Sequence, residues 1–244
     1  MLSRRALLGG LAAAAVSGRA ALAQSTSSRG YAFSQAEMNA QDWYVGYIPD
    51  EPFDIPFVDL RRLPAEVRRQ YVRYDGPEAP GTVVIDTARK HLYLVRDDGT
   101  AIRYGIGVGR EGFSWSGTAT IGRKAAWPTW TPPAEMRRRQ PDLPVSMEGG
   151  LDNPLGARAM YLHQNGVDTL FRIHGTNEPW SIGHAVSSGC IRMLNQDALD
   201  LYERVSVGAV VKVRERVRND GLIMSESTGR RRGYERQASW GPVY

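Results

Sequence analysis

From Gly81 onward the chain is written in short apolar runs separated by turn residues, and this pattern predicts strands. Thr82–Thr87 and His91–Val95 are β-rich runs with a short polar turn between them. Ala101–Gly109 is a third run, entered through the Asp97-Asp98-Gly99 turn and ended by glycines. Ala159–His163 and Asp168–Ile173 flank Asn165-Gly166, a strong hairpin signal. Ala209–Val213 is the last run. Between these strands Leu199, Tyr202 and Val205 recur at helical spacing, which predicts a helix over Asn195–Val205 with Asn195 as its cap. Many short strands with few helices give a mainly β fold, a sandwich or barrel with one or two short helices.

Before Gly81 the pattern is less regular. Residues 24–42 are polar, rich in Ser and Gln, and read as a linker. Residues 43–80 carry Trp43, Tyr44, Tyr47 and several prolines, and Leu63–Tyr74 reads as one short helix. This stretch is expected to be an extension packed on the main domain. The organisation is therefore a leader (1–23), a linker and extension (24–80), a strand-rich domain (81–213) and a basic tail (214–244).

The leader has the layout of a signal peptide. Arg4-Arg5 form a charged start, Ala6–Val16 a short apolar run, and Ala21-Leu22-Ala23 a small-x-small cleavage site. Ser3-Arg4-Arg5-Ala6-Leu7-Leu8 resembles a twin-arginine signal; the alternative is a general secretory signal with two arginines. The run is too short to span a bilayer, and no other segment is apolar enough. A protein free in the periplasm, without stable membrane insertion, is expected.

Charge adds little. The chain of 244 residues carries a formal net charge of +5. Removing the three arginines of the leader from 31 basic residues leaves 28 against 26 acidic ones, so nucleic-acid binding has no support. The tail, with Gly229-Arg-Arg-Arg-Gly233, reads either as a solvated segment or as an electrostatic contact with anionic envelope polymers.

Cysteine usage changes the picture most. The only cysteine is Cys190, so an internal disulfide is impossible, and a lone thiol is a liability in an oxidising compartment. His174 ends a strand, and Cys190 follows sixteen residues later, after Ser187-Ser188-Gly189. A strand end holds an imidazole rigidly, and a loop rich in Gly, Pro and Ser can return a thiol to it. The thiolate is the nucleophile, and a neighbouring imidazolium can lower the thiol pKa to favour it. Main-chain N–H groups at Ser188, Gly189 and Cys190 can face a developing oxyanion.

The string His174-Gly175 followed by Ser187-Ser188-Gly189-Cys190-Ile191-Arg192 resembles the signature of L,D-transpeptidase catalytic domains, the YkuD family. The resemblance spans about residues 81–213 and includes Arg172-Ile173 before the histidine. One departure is Ser188, where many members have a second histidine. The resemblance implies a cysteine acyltransferase with no metal or organic cofactor. Cys190 would attack the bond between a diamino acid and D-alanine in a peptidoglycan stem tetrapeptide. His174 would act as general base and then acid, oriented by the carbonyl of Gly175. An amine, on a second stem peptide or an envelope protein, would resolve the acyl-enzyme.

Other residues admit two readings each. Arg192 either binds a substrate carboxylate or is an ion-pair partner holding the cysteine loop. His184 and Ser187 are placed near substrate, His184 as a loop residue rather than a second base. His163 either lines the site or lies on a strand surface, and His91 is structural. The segment with Trp127, Pro128, Trp130, Pro132 and Pro133 either caps the cleft or packs on the domain edge. Competing functions are an L,D-carboxypeptidase, which would use the same residues with water as acceptor, and a non-catalytic envelope-binding protein. A papain-like protease is disfavoured because its cysteine precedes its histidine.

Overall fold

The computed structural model describes residues 39–109, 116–187 and 189–214. The leader, most of the linker, Ser188 and the tail from 215 onward lie outside the described residues. The fold is mainly β, as the apolar pattern predicts. Its centre is a sheet of nine strands. Val83–Asp86 (β4) pairs antiparallel with His91–Val95 (β5), and β5 with Thr100–Gly105 (β6). On the other side of β4 lies Val210–Arg214 (β13) in parallel register, followed by Gly117–Ala126 (β8), Arg158–Gln164 (β9), Val167–His174 (β10) and the two-residue strand Ile191–Arg192 (β12).

Alternation decides which face of this sheet is buried. Ile102 and Tyr104 from β6, Leu92 and Leu94 from β5, Met160 and Leu162 from β9, and Ile173 and Ile191 from β10 and β12 all enter one core. Strands near both ends of the sheet line the same core, so the sheet curls around it. The layers of the expected sandwich are thus parts of one ladder. The helix Asn195–Arg204 (α2) and the residue after it contribute Ala198, Leu201 and Val205 to that core, a stripe at helical spacing.

The curl is fastened near the thiol. Gly107 and Arg192 exchange main-chain hydrogen bonds of 2.9 Å in both directions. Beyond this bridge Val108–Gly109 (β7) pairs in parallel with Ala185–Ser187 (β11). The run predicted as one strand over Ala101–Gly109 is therefore two, broken at Ile106-Gly107, where the chain leaves β5 for the cysteine loop.

The stretch before β4 differs from the predicted helix over Leu63–Tyr74. Leu60–Arg62 and Ala65–Val67 are single 3₁₀ turns, and Gln70–Arg73 (β3) is an edge strand on β6. Pro64 sets the entry to the second turn, and Arg68 donates to the Leu63 carbonyl at 2.8 and 3.0 Å, holding the chain folded back. With β3 bonded along β6, the sheet edge takes up the backbone groups that a helix would have satisfied internally. Upstream, Tyr44–Ile48 (β1) and Ile55–Val58 (β2) form a small antiparallel sheet. Trp43, Val58, Leu63 and Val67 pack with Ile182 and Leu194, which flank the cysteine loop.

Two further elements, besides the N-terminal and cysteine-loop strands, escaped sequence reasoning. β8 has ten residues but little apolar alternation, because only Ala119 and Ile121 reach the core. Ala134–Arg139 (α1) is a short helix in the Pro-rich segment. In that segment Trp127 packs with Ile55 and Ala157 and donates from Nε1 to Asp50 at 2.8 Å, so it packs at the domain edge against the N-terminal stretch. Among the described residues no helix is long and apolar enough to cross a membrane.

Candidate active site

The site follows from sheet register. In the parallel pairing of β10 with β12, Ile173 lies beside Ile191 and His174 beside Arg192. Both isoleucines are fully buried in the core. Strand side chains alternate, so their neighbours Arg172 and His174 on β10, and Cys190 and Arg192 around Ile191, share the opposite face. The register thus places the predicted histidine and cysteine on one face, at the edge of the sheet. Cys190 is half-buried and His174 is buried.

His174 is held at both ends. Its Nδ1–H donates to the Gly175 carbonyl at 2.6 Å, and its own carbonyl accepts from Met193 N at 2.8 Å. The first contact places the proton on Nδ1 in the neutral ring and leaves Nε2 as the basic nitrogen. Gly175 is required by close approach: a Cβ there would lie 2.1 Å from Asn195 Oδ1.

That oxygen belongs to a residue whose predicted role was different. Leu194, not Asn195, is the cap of α2, and Asn195 is the first helical residue. Its side chain instead reaches across to the histidine loop, where Oδ1 accepts from Ala157 N and Thr176 N at 3.1 and 3.2 Å. Its Nδ2 donates to Thr176 O at 3.0 Å. The next residue, Gln196, exchanges two 3.2 Å hydrogen bonds with the main chain of Val58 on β2. Asp197 then faces Arg69, which also pairs with Asp200 at 3.0 Å. Three consecutive polar residues thus tie the start of α2 to the histidine loop and the N-terminal stretch. Their only sequence signal was three polar residues at a helix start, the usual place for caps.

The electrostatics correct one expectation. Burial pushes the His174 imidazole down to about 3, and the Arg192 and Arg172 guanidiniums act in the same direction. Burial also pushes the Cys190 thiol up, against the opposing pull of Arg172 and Arg192. At neutral pH the pair therefore rests as thiol and neutral imidazole, and the cations beside the sulfur are arginines instead of an imidazolium. Burial disfavours both charged forms, which spacing along the sequence does not reveal.

The remaining predicted residues fall as follows. Gly189 has φ +127°, a conformation that favours glycine, and it places Cys190 at the mouth of β12. Ser187 ends β11, opposite Gly109. Arg192 Nη1 pairs with Glu178 Oε2, so of its two readings the structure supplies the ion pair, which links the cysteine strand to the loop after His174. His184 sits on the turn before β11; its N–H donates to Ser181 O and its carbonyl accepts from Val108 N. Burial and Lys90 hold its imidazole below the ordinary value. His163 lies with its ring against Gly122 on β8, and His91 donates from Nε2 to the Glu66 carbonyl at 2.8 Å, a structural contact. Among the described residues no cluster of His, Cys, Asp and Glu could hold a metal ion.

Residues 80–213 match the L,D-transpeptidase catalytic domain, YkuD, and the chain belongs to this family. The probable L,D-transpeptidase YbiS of Escherichia coli K12 is 39% identical over 139 residues, covering 53% of this chain and 43% of that protein. The probable L,D-transpeptidase ErfK/SrfK of the same organism is 36% identical over 140 residues, 54% of this chain and 43% of that protein. The chain thus spans less than half the length of these relatives. Among solved structures, a probable carnitine operon oxidoreductase caia from Brucella melitensis is 47% identical, covering 62% of this chain and 96% of that one, with a TM-score of 0.43. L,D-transpeptidase 3 from Mycobacterium tuberculosis is 18% identical, covering 55% and 60%, with a TM-score of 0.40.

Proposed function

We propose that this chain is a peptidoglycan L,D-transpeptidase with Cys190 as nucleophile and His174 as general base and acid. The observation that carries the reading is the shared sheet face of His174 and Cys190, with the imidazole tautomer set by the Gly175 carbonyl. Family membership and the names of the relatives support it.

The thiol proton passes to His174 Nε2 as Sγ attacks the carbonyl carbon between the diamino acid and D-alanine of a stem tetrapeptide. The oxyanion is met by N–H groups at Gly189 and Cys190, with Ser188 as a further donor. The C–N bond then breaks, the proton returns from His174 to the departing amine of D-alanine, and a thioester remains. An acceptor amine on a second stem peptide or an envelope protein attacks the thioester and gives its proton to His174. The new amide leaves, and Cys190 regains its thiol. Gly175 contributes its carbonyl, which stabilises the imidazolium formed in each half-reaction and needs no carboxylate. Arg192 holds the loop through Glu178, and His184 and Ser187 are the further candidates for substrate contact. The enzyme works in the periplasm after removal of residues 1–23, by the twin-arginine route.

The test is incubation of the purified protein with disaccharide-tetrapeptides, followed by mass spectrometry. Crosslinked dimers with loss of one D-alanine are expected. Release of D-alanine without dimers would replace the transferase with an L,D-carboxypeptidase, and neither product would reject the reading.

A further inference from the structure

The face that carries Cys190 also carries a row of side chains crossing four strands. Arg123 on β8 is in register with Tyr161 on β9, and Tyr161 with Arg172 on β10. Arg172 precedes Ile173, whose partner Ile191 follows Cys190, so the row runs into the thiol. The Tyr161 ring lies between the two guanidiniums, whose carbons are 3.5 Å (Arg123) and 5.0 Å (Arg172) from its centroid.

Arg172 is aimed with some care. β10 bulges between Asp168 and Arg172. Asp168 Oδ1 accepts from Leu170 N at 2.8 Å, and Thr169 Oγ1 donates to Leu162 O at 2.7 Å. Leu170 is held at φ +64°, a strained conformation for a leucine, and its carbonyl accepts from Arg172 Nη1 at 2.7 Å. Bulges of this kind re-aim a side chain beside a site. Arg172 meets the Leu170 carbonyl and the Tyr161 face, and its charge, main chain and side chain all pull the Cys190 thiol down against burial. Arg192, the other cation near the sulfur, is engaged by Glu178.

We propose that Arg172 is a further catalytic residue, whose guanidinium faces Cys190 Sγ and holds the thiolate formed when the thiol proton passes to His174. This rests on the reading of Cys190 as nucleophile. Attack from a neutral pair must separate charge, and the sulfur needs a cation that is present before the proton moves. An arginine is charged at every working pH, and stacking on Tyr161 fixes its plane. The Tyr161 ring and the bulge are positioning elements for it.

The experiment uses the full chain and the fact that it has one cysteine, so alkylation reports on Cys190 alone. The rate of carbamidomethylation by iodoacetamide is measured by intact mass between about pH 6 and pH 11. Arg172→Gln should move the profile about one pH unit higher and slow the reaction at pH 7 about tenfold, while Arg172→Lys stays within about threefold of wild type. Tyr161→Leu keeps the charge but removes the ring, and should move the profile the same way by less. Should Arg172→Gln fail to fold, the Tyr161→Leu and Arg172→Lys profiles decide. Superimposable profiles for wild type and the variants would overturn the proposal, as would Arg172→Lys behaving like Arg172→Gln. In turnover, Arg172→Gln should lower kcat; a loss confined to KM would make the residue a substrate anchor and would also overturn it. Failure of the underlying reading shows separately, as activity retained by Cys190→Ala.

Discussion

Asn195 and Thr176 pair as two strand residues would, through a side-chain amide in place of a backbone one. Asn195 Oδ1 accepts from Thr176 N at 3.2 Å, and Asn195 Nδ2 donates to Thr176 O at 3.0 Å. The pair closes the loop that begins at His174 and presents the Gly175 carbonyl to the imidazole. The start of α2 therefore sets the geometry of the loop that holds the His174 imidazole, the proposed base.

Replacing Asn195 should show this. Asn195→Ala leaves two buried N–H groups without their acceptor, and a loss of about 2–3 kcal/mol in stability is expected. Activity should fall further than the unfolded fraction accounts for, because the Gly175 carbonyl is released. Urea denaturation with turnover measured on the folded fraction checks both. Full activity per folded molecule would show that the loop keeps its shape unaided. Gly175→Ala should be as severe, since its Cβ would collide with Asn195 Oδ1.

The resting protonation state predicts the pH profile. With His174 held near 3 and the Cys190 thiol raised, neither group titrates between about pH 5 and 8. In that range kcat/KM should be flat. An acid limb below pH 6.5 that disappears in His184→Ala would assign the base to His184 instead.

Stability has its own pH signature. The folded value of His174, about 3, lies below its unfolded value of about 6.5, so stability is lost as pH falls below about 6.5, because the unfolded chain takes up a proton that the folded one does not. His174→Gln should remove the slope, about 1.4 kcal/mol per pH unit, between about pH 6 and 4. Denaturation midpoints across that range measure it, and parallel curves for both proteins would contradict it.

Asp197 acts with the opposite sign. Burial pushes its carboxyl up to about 7, above the unfolded value, so the stability it supplies is present at low pH and lost as pH rises through that value. Arg69 offsets the charge of Asp197 and Asp200. Arg69→Met should cost about 3 kcal/mol at pH 8, and clearly less at pH 5, where Asp197 regains its proton. A pH-independent loss would show that Arg69 acts through packing alone.

These residues also mark what could be read from the sequence. The hairpin at Asn165-Gly166, the strands β4 and β5 and the helix α2 carry strong local periodicity, and the structure has them. The segment Leu63–Tyr74 has apolar residues at helical spacing, but β3 is decided by bonding to β6, a partner thirty residues away. Strand β8 was hidden because its outward face is polar and its inward face small. In the site, His174 and Cys190 stood out by residue type. Arg172 and Asn195 did not, because the first depends on which sheet face it shares and the second on a loop reached across the core.

The central claim is that Cys190 forms the acyl bond with His174 as its base. Intact-mass spectrometry of the full chain after incubation with a disaccharide-tetrapeptide or a carbapenem tests it most directly. One adduct located on Cys190 is predicted, absent in Cys190→Ala and formed about 10²-fold more slowly in His174→Ala. An adduct on a serine, or undiminished turnover by Cys190→Ala, would contradict the account.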